Sequence, residues 1–118
     1  MANENTARIK ITDAASAKLL DEAFSAARIA TEKHIQNNPN VWYPCGFAWV
    51  VIKPARGALV KYLKHINMGR TSDSGGFTVY NPSQNSTQWM DAKYEGAKAF
   101  AKVLSDAGFN CYAQSRID

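Results

Sequence analysis

The arginines carry the most distinctive chemistry in this chain. Arg56 opens a predicted helix, where a positive charge opposes the helix dipole. A bound anion removes that conflict, because arginine and the N–H groups of a helix N-terminus both favour phosphate. Arg28 lies at the edge of an amphipathic helix and Arg116 at the end of a strand. Each can snorkel or pair with a carboxylate such as Asp118, or can reach into a groove and clamp phosphate bidentately. A second constellation lies in the segment RTSDSGGFTVYNPSQNSTQ. Gly75 and Gly76 permit close backbone approach, and Phe77 and Tyr80 offer rings for stacking. Asn81, Ser83, Thr87 and Gln88 add neutral hydrogen-bonding groups just before a helix N-terminus. These are the parts of a nucleotide pocket. They are equally the parts of a hairpin followed by a helix cap, with Phe77 in the core.

Catalytic signatures are missing. The chain has no GxSxG elbow, P-loop, GxGxxG or HExxH. His34 and His65 each fall in the last turn of a predicted helix, where a cationic ring is favoured; neither has the companions of a metal site or a general base. Asp91 and Glu95 lie one turn apart on the polar side of a helix, as a solvated pair does. Cys45 has no activating base nearby in sequence. The expectation is a binding protein, with no enzymatic activity, metal or cofactor.

Charge narrows the partner. The chain carries a net charge of +4 over 118 residues. Between Glu32 and Asp73 there is no acidic residue, while Lys33, Lys53, Arg56, Lys61, Lys64 and Arg70 fall in that interval. The middle helix therefore presents a basic face, which either is solvated or meets an anionic partner. No run approaches the ~20 apolar residues that span a bilayer. The N-terminal MANENTARIK is polar, without the apolar core of a secretory signal. A cytoplasmic location is expected, with Cys45 and Cys111 as buried thiols that match no metal or redox spacing and could form a disulfide only if their strands were neighbours.

The elements that position these groups follow from periodicity. Residues 1 to 7 are polar and expected to fray, and Thr12 reads as an N-cap. A helix then runs to about Gln36 with Leu20, Ala23, Phe24, Ala27 and Thr31 on one face. The run FAWVVI, Phe47 to Ile52, reads as a central strand covered on both faces. A short helix follows from about Arg56 to Ile66, then a flexible TSDSGG turn and a strand from Phe77 to Tyr80. Ser86 or Thr87 caps a third helix running to about Ala107, with Gly108 as its terminator. A last strand covers Asn110 to about Ser115. The expected fold is α+β: one small domain over residues 1 to 118, with about three helices on a sheet of about three strands. Trp42 and Tyr43 form an aromatic knuckle that packs on the core or buries a subunit contact.

The strings PCGFAWV, PARG, GG…YNPS, TQWMDAKYEGAKAFAKVL and SRID resemble a recurring pattern in small bacteriophage proteins, over roughly residues 41 to 118. In size and layout the chain is similar to the Thoeris anti-defence sponges of the first type. That resemblance implies a small α+β domain that assembles into homo-oligomers in the host cytoplasm. It implies capture, without cleavage, of a cyclic ADP-ribose-like signal, and in some members of cyclic oligonucleotides. It also implies arginines from the N-terminal helix and near the C-terminus, matched here by Arg28 and Arg116. Phe77 or Trp89 would be the aromatic on the base, with Asn81 as a polar partner. Two other readings stand beside it. One is a nucleic-acid-binding module using the basic helix at residues 53 to 70; the other is an inhibitor docking on an acidic host protein.

Overall fold

The computed structural model describes residues 2–73 and 75–118, apart from the side chains of residues 2 to 13. In chain order the elements are α1 (Ala2–Asn37), β1 (Gly46–Lys53), α2 (Ala58–His65), β2 (Arg70–Thr71), β3 (Phe77–Tyr80), α3 (Met90–Asp106) and β4 (Asn110–Ile117). The fold is α+β, as expected. The sheet has four strands in the order β2-β3-β1-β4, every neighbouring pair antiparallel. The strand absent from the sequence reading is β2, a two-residue strand with neither alternation nor apolar content to announce it.

Strand β1 organises the sheet, pairing with β3 from Trp49 to Ile52 and with β4 along its whole length. Side chains alternate across a strand. Ala48, Val50 and Ile52 therefore point one way and join Phe77 and Val79 of β3 in the core. Phe47 and Trp49 point the other way. The expectation that FAWVVI is covered on both faces is corrected here. All three helices contribute to the core on one side of the sheet, so Phe47 is 42% exposed and Trp49 only half-buried. An apolar run without polar alternation looks doubly buried, but here the second face is open at Phe47 and partly at Trp49, and closed only at Val51, which is 6% exposed.

The helical layer closes by small residues. Ala23, Ala27 and Thr31 of α1 meet Ala92, Gly96 and Ala97 of α3, all buried. The Thr31 hydroxyl donates to the Ala92 carbonyl at 2.8 Å, tying the two helices together. A Cβ on Gly96 would collide with Thr31 Oγ1 and the Ala27 carbonyl, so the close approach requires glycine there. Phe100, Leu104, Leu59 and Leu63 fill the space between this pair, α2 and the sheet.

Three boundaries differ from expectation. Helix α1 runs from Ala2, so Thr12 lies inside it and does not cap it, which corrects that expectation; of residues 1 to 7, where fraying was expected, Met1 and all side chains lie outside the described residues. Helix α2 begins after Gly57, whose φ of 104° no β-carbon residue adopts easily, so Arg56 precedes the helix. Helix α3 starts at Met90, where the chain is turned by an isolated bridge between Cys45 and Trp89. Thr87 still serves this terminus by accepting from the Trp89 N–H at 3.2 Å. No helix of the described residues is long and apolar enough to cross a membrane.

Candidate functional site

The uncovered side of the sheet follows directly from its register. Residues opposite one another in an antiparallel ladder share a face. Phe47 is paired with Arg116, and Trp49 with both Tyr80 and Gln114. Val51 is paired with Thr78 and Tyr112, and Arg70 also faces Thr78. The open face therefore carries Phe47, Trp49, Tyr80 and Tyr112 interleaved with Arg70 and Arg116. A cleft of about 620 Å³ lies on it, lined by Phe47, Trp49, Gly69, Arg70, Tyr80 and Arg116. A second hollow of about 330 Å³ adjoins it, sharing Arg70 and Tyr80 and adding Thr71, Ser72, Asp73 and Thr78.

Several contacts hold these groups in place. The Trp49 indole N–H donates to Gln114 Oε1 at 3.0 Å, which fixes the ring against β4. Its neighbour Tyr80 lies 6.0 Å away, tilted by 45°. The Arg70 guanidinium stands 5.6 Å from the Tyr80 ring centre and that of Arg116 stands 5.7 Å from Phe47. Lys93 of α3 also reaches Phe47, at 5.5 Å, and is only 7% exposed. It does so at the position where β3 has already ended opposite Trp49, leaving Phe47 without a neighbour on that side. Lys53 stands 5.7 Å from the Tyr112 ring. Gly69, with φ of 94°, lets the chain turn into β2; a Cβ there would strike the Thr78 carbonyl and the Phe77 ring.

The electrostatics are one-sided. The ion pairs among the described residues are Lys98–Glu95 and Lys102–Asp106, both on α3. Arg70, Arg116, Lys93 and Lys53 are therefore held by aromatic rings and not by carboxylates. Two of these cations, Lys93 and Arg116, share a single ring. Cations arranged over aromatic faces, without acidic partners, form a surface that attracts anions carrying a flat ring system. Among the described residues no group of three or more histidine, cysteine or acidic side chains could hold a metal.

The residues singled out from sequence scatter. Arg116 lines the cleft. Arg28 is exposed on α1, on the helical side of the sheet, and does not line the cleft with Arg116. Arg56 is exposed before α2 and does not line the cleft. Phe77 is 0% exposed in the core, which removes it as a stacking surface and corrects that assignment. Trp89, 6% exposed, is stacked on Tyr43 at 4.9 Å and meets His34 edge-on at 4.6 Å, so both of its approaches are occupied by protein. Asn81 shapes its own turn: it adopts φ of 43°, its amide donates to the Asn85 carbonyl, and its Oδ1 accepts from Ser83. Trp42, next to the stacked Tyr43, is 87% exposed.

Sequence reasoning missed Phe47, Trp49 and Lys93, and assigned Arg70 only to a general basic interval. The available signal was the placement of large aromatics at alternate positions of three strands, with arginines at the strand ends. Both cysteines are free. Cys45 is exposed, which corrects the expectation of burial, whereas partial burial pushes the Cys111 thiol above its ordinary value, opposed by its hydrogen bond with Ser105. No family model, curated protein or solved structure matches the chain.

Proposed function

We propose that this chain is a binding protein that sequesters a small cyclic nucleotide, of the cyclic ADP-ribose class, on the open face of its sheet. The observation that carries the reading is the cleft in which Trp49 and Tyr80 flank Arg70 and Arg116, with no carboxylate among the described residues paired to either arginine. A base needs a flat apolar surface, which Trp49 and Tyr80 supply. A pyrophosphate needs guanidinium forks, which Arg70 and Arg116 supply. The resemblance to Thoeris anti-defence sponges supports the choice of ligand and the assignment of Arg116, and capture without cleavage in the cytoplasm of a phage-infected host. The stacking role moves from Phe77 or Trp89 to Trp49 and Tyr80.

A second reading has its own support. An antiparallel sheet with exposed aromatics and basic residues is also a platform for single-stranded nucleic acid, whose bases stack in succession. The two separate by salt. Each phosphate contact to a polymer releases counterions, so its affinity falls steeply as salt rises. A small ligand held by two arginines responds far less.

The experiment is a thermal-shift screen against cyclic ADP-ribose isomers, cyclic di- and trinucleotides, ADP-ribose and NAD, followed by calorimetry at two salt concentrations. Ligand at 100 times its Kd stabilises the native state by about 2.7 kcal/mol. The expected result is a raised Tm with one cyclic nucleotide, recovered chemically intact after boiling. A ligand returned hydrolysed would replace sequestration with catalysis. No shift with any nucleotide, together with salt-sensitive binding of single-stranded oligonucleotides, would establish the second reading instead.

A further inference from the structure

The edge of the sheet nearest the cleft is unfinished. Among the described residues, strand β4 pairs with β1 alone, and six of its eight residues are exposed. The phase of its hydrogen bonding can be read from one contact. The Asp118 N–H donates to the Cys45 carbonyl at 3.1 Å, in register with the ladder. In an antiparallel pair the residues alternate between facing the partner strand and facing away. Arg116, Gln114, Tyr112 and Asn110 therefore direct their main-chain groups to β1, and Cys111, Ala113, Ser115 and Ile117 direct theirs outward. The Asn81 N–H bond to the Ala48 carbonyl, 2.9 Å, agrees: Ala48, Val50 and Ile52 serve β3, which leaves the alternate residues of β1 for β4.

A free edge of this length invites pairing, and proteins that must avoid it use proline, lysine, a bulge or a very short strand. Strand β4 has one charged side chain, Arg116, and otherwise none of these. Its sequence NCYAQSRI contains no proline or lysine, and its eight-residue register with β1 is unbroken.

We infer that β4 pairs antiparallel with β4 of a second copy of this chain, about a two-fold axis through Gln114. A two-fold axis perpendicular to the sheet requires paired residues to share a face, so the axis passes through a residue position and not between two. Centring on Gln114 pairs Cys111 with the partner's Ile117 and Ala113 with the partner's Ser115. All four outward residues of each copy are then hydrogen-bonded. Centring on Ala113 leaves Ile117 opposite the partner's Phe109, beyond the end of the strand. The Gln114 register also sets Tyr112 beside the partner's Arg116, an arginine–aromatic pair in both directions across the seam. Two self-complementary cation–ring contacts are what an isologous contact needs, and they single out a second copy over an unrelated strand.

The consequence concerns the cleft. Arg116 and Tyr112 both lie on the open face, so the paired sheets form one eight-stranded surface carrying two clefts. The partner's Tyr112 extends the wall of each cleft beyond Arg116. The pairing itself does not depend on what the cleft binds.

The test uses the full chain in solution. Sedimentation and light scattering should give twice the 13.0 kDa chain mass. Ser115→Pro removes an outward-facing N–H and leaves the bonds to β1 in place, so it should yield a monomer with a cooperative melt. In a Cys45→Ser, Cys111→Ser background, Gln114→Cys should cross-link to itself on oxidation. Its two copies face each other at a non-hydrogen-bonded position, with Cα atoms about 4.5 Å apart, within disulfide reach. Tyr112→Cys, which faces the partner's Arg116, should not cross-link. A wild-type monomer at high concentration overturns the inference. So does a dimer in which Gln114→Cys fails to cross-link, because its contact then lies elsewhere. The cross-link decides even if Ser115→Pro does not fold.

Discussion

Replacing Arg116 with alanine separates a binding role from a structural one, because the two predict opposite balances of effect. In the folded protein Arg116 has no carboxylate partner among the described residues; its recorded contact is the Phe47 ring at 5.7 Å. An exposed cation–ring contact is worth about 0.5–1 kcal/mol. Against it stands Lys93, 5.5 Å from the same ring centre, which places the two charges at most about 11 Å apart. At that distance their repulsion is about 0.4 kcal/mol in water, and more where the effective dielectric falls. The two effects nearly cancel, so Arg116→Ala should move the Tm of the ligand-free protein very little. Phosphate binding is another matter. A charge-assisted hydrogen bond contributes about 1.5–3 kcal/mol, which corresponds to a loss of about 10- to 150-fold in affinity. Calorimetry with the nucleotide identified by thermal shift reads the second quantity, and melting of the free protein reads the first. Arg28→Ala supplies the comparison, since Arg28 lies on the helical side of the sheet. Unchanged affinity in Arg116→Ala would refute the cleft as the anion site. Equal losses in Arg28→Ala and Arg116→Ala would show that a second copy brings the helical arginine to the ligand.

Two further perturbations test the fold around this face. Gly96→Ala gains helix propensity of about 1 kcal/mol but forces a methyl group against the Ala27 carbonyl and Thr31 Oγ1. Overpacking costs about 1–3 kcal/mol, so the net expectation is a lower denaturant midpoint with unchanged m-value; a more stable variant would show that α1 and α3 can separate freely. Alkylation should discriminate between the thiols: exposed Cys45 should react first and Cys111 slowly, gaining rate as pH rises because burial raises its titration. Mass spectrometry of partially labelled protein checks the order, and preferential labelling of Cys111 would contradict its packing.

The helices are legible in the sequence because a 3.6-residue period survives any tertiary arrangement: Leu20, Ala23, Ala27 and Thr31 lie on one face of a helix wherever that helix packs, and all four are buried as their spacing requires. The strands are legible as segments but not as surfaces. Whether Phe47 and Trp49 face a core or solvent depends on whether a helix covers that side, and this is a property of chain routing that the run FAWVVI does not contain. The same gap misplaces the ligand aromatic. Phe77 and Trp89 are adjacent to the polar turn in sequence, yet the register places Phe77 with Ile52 in the core and the Cys45 bridge draws Trp89 under Tyr43. Arg116 emerges from either line of reasoning because it lies near the end of an edge strand, on the face that no helix covers. A binding surface assembled from alternate residues of four strands has no contiguous motif. Its signature is a set of aromatics and arginines of matching parity, and parity between strands becomes defined only when the register is known.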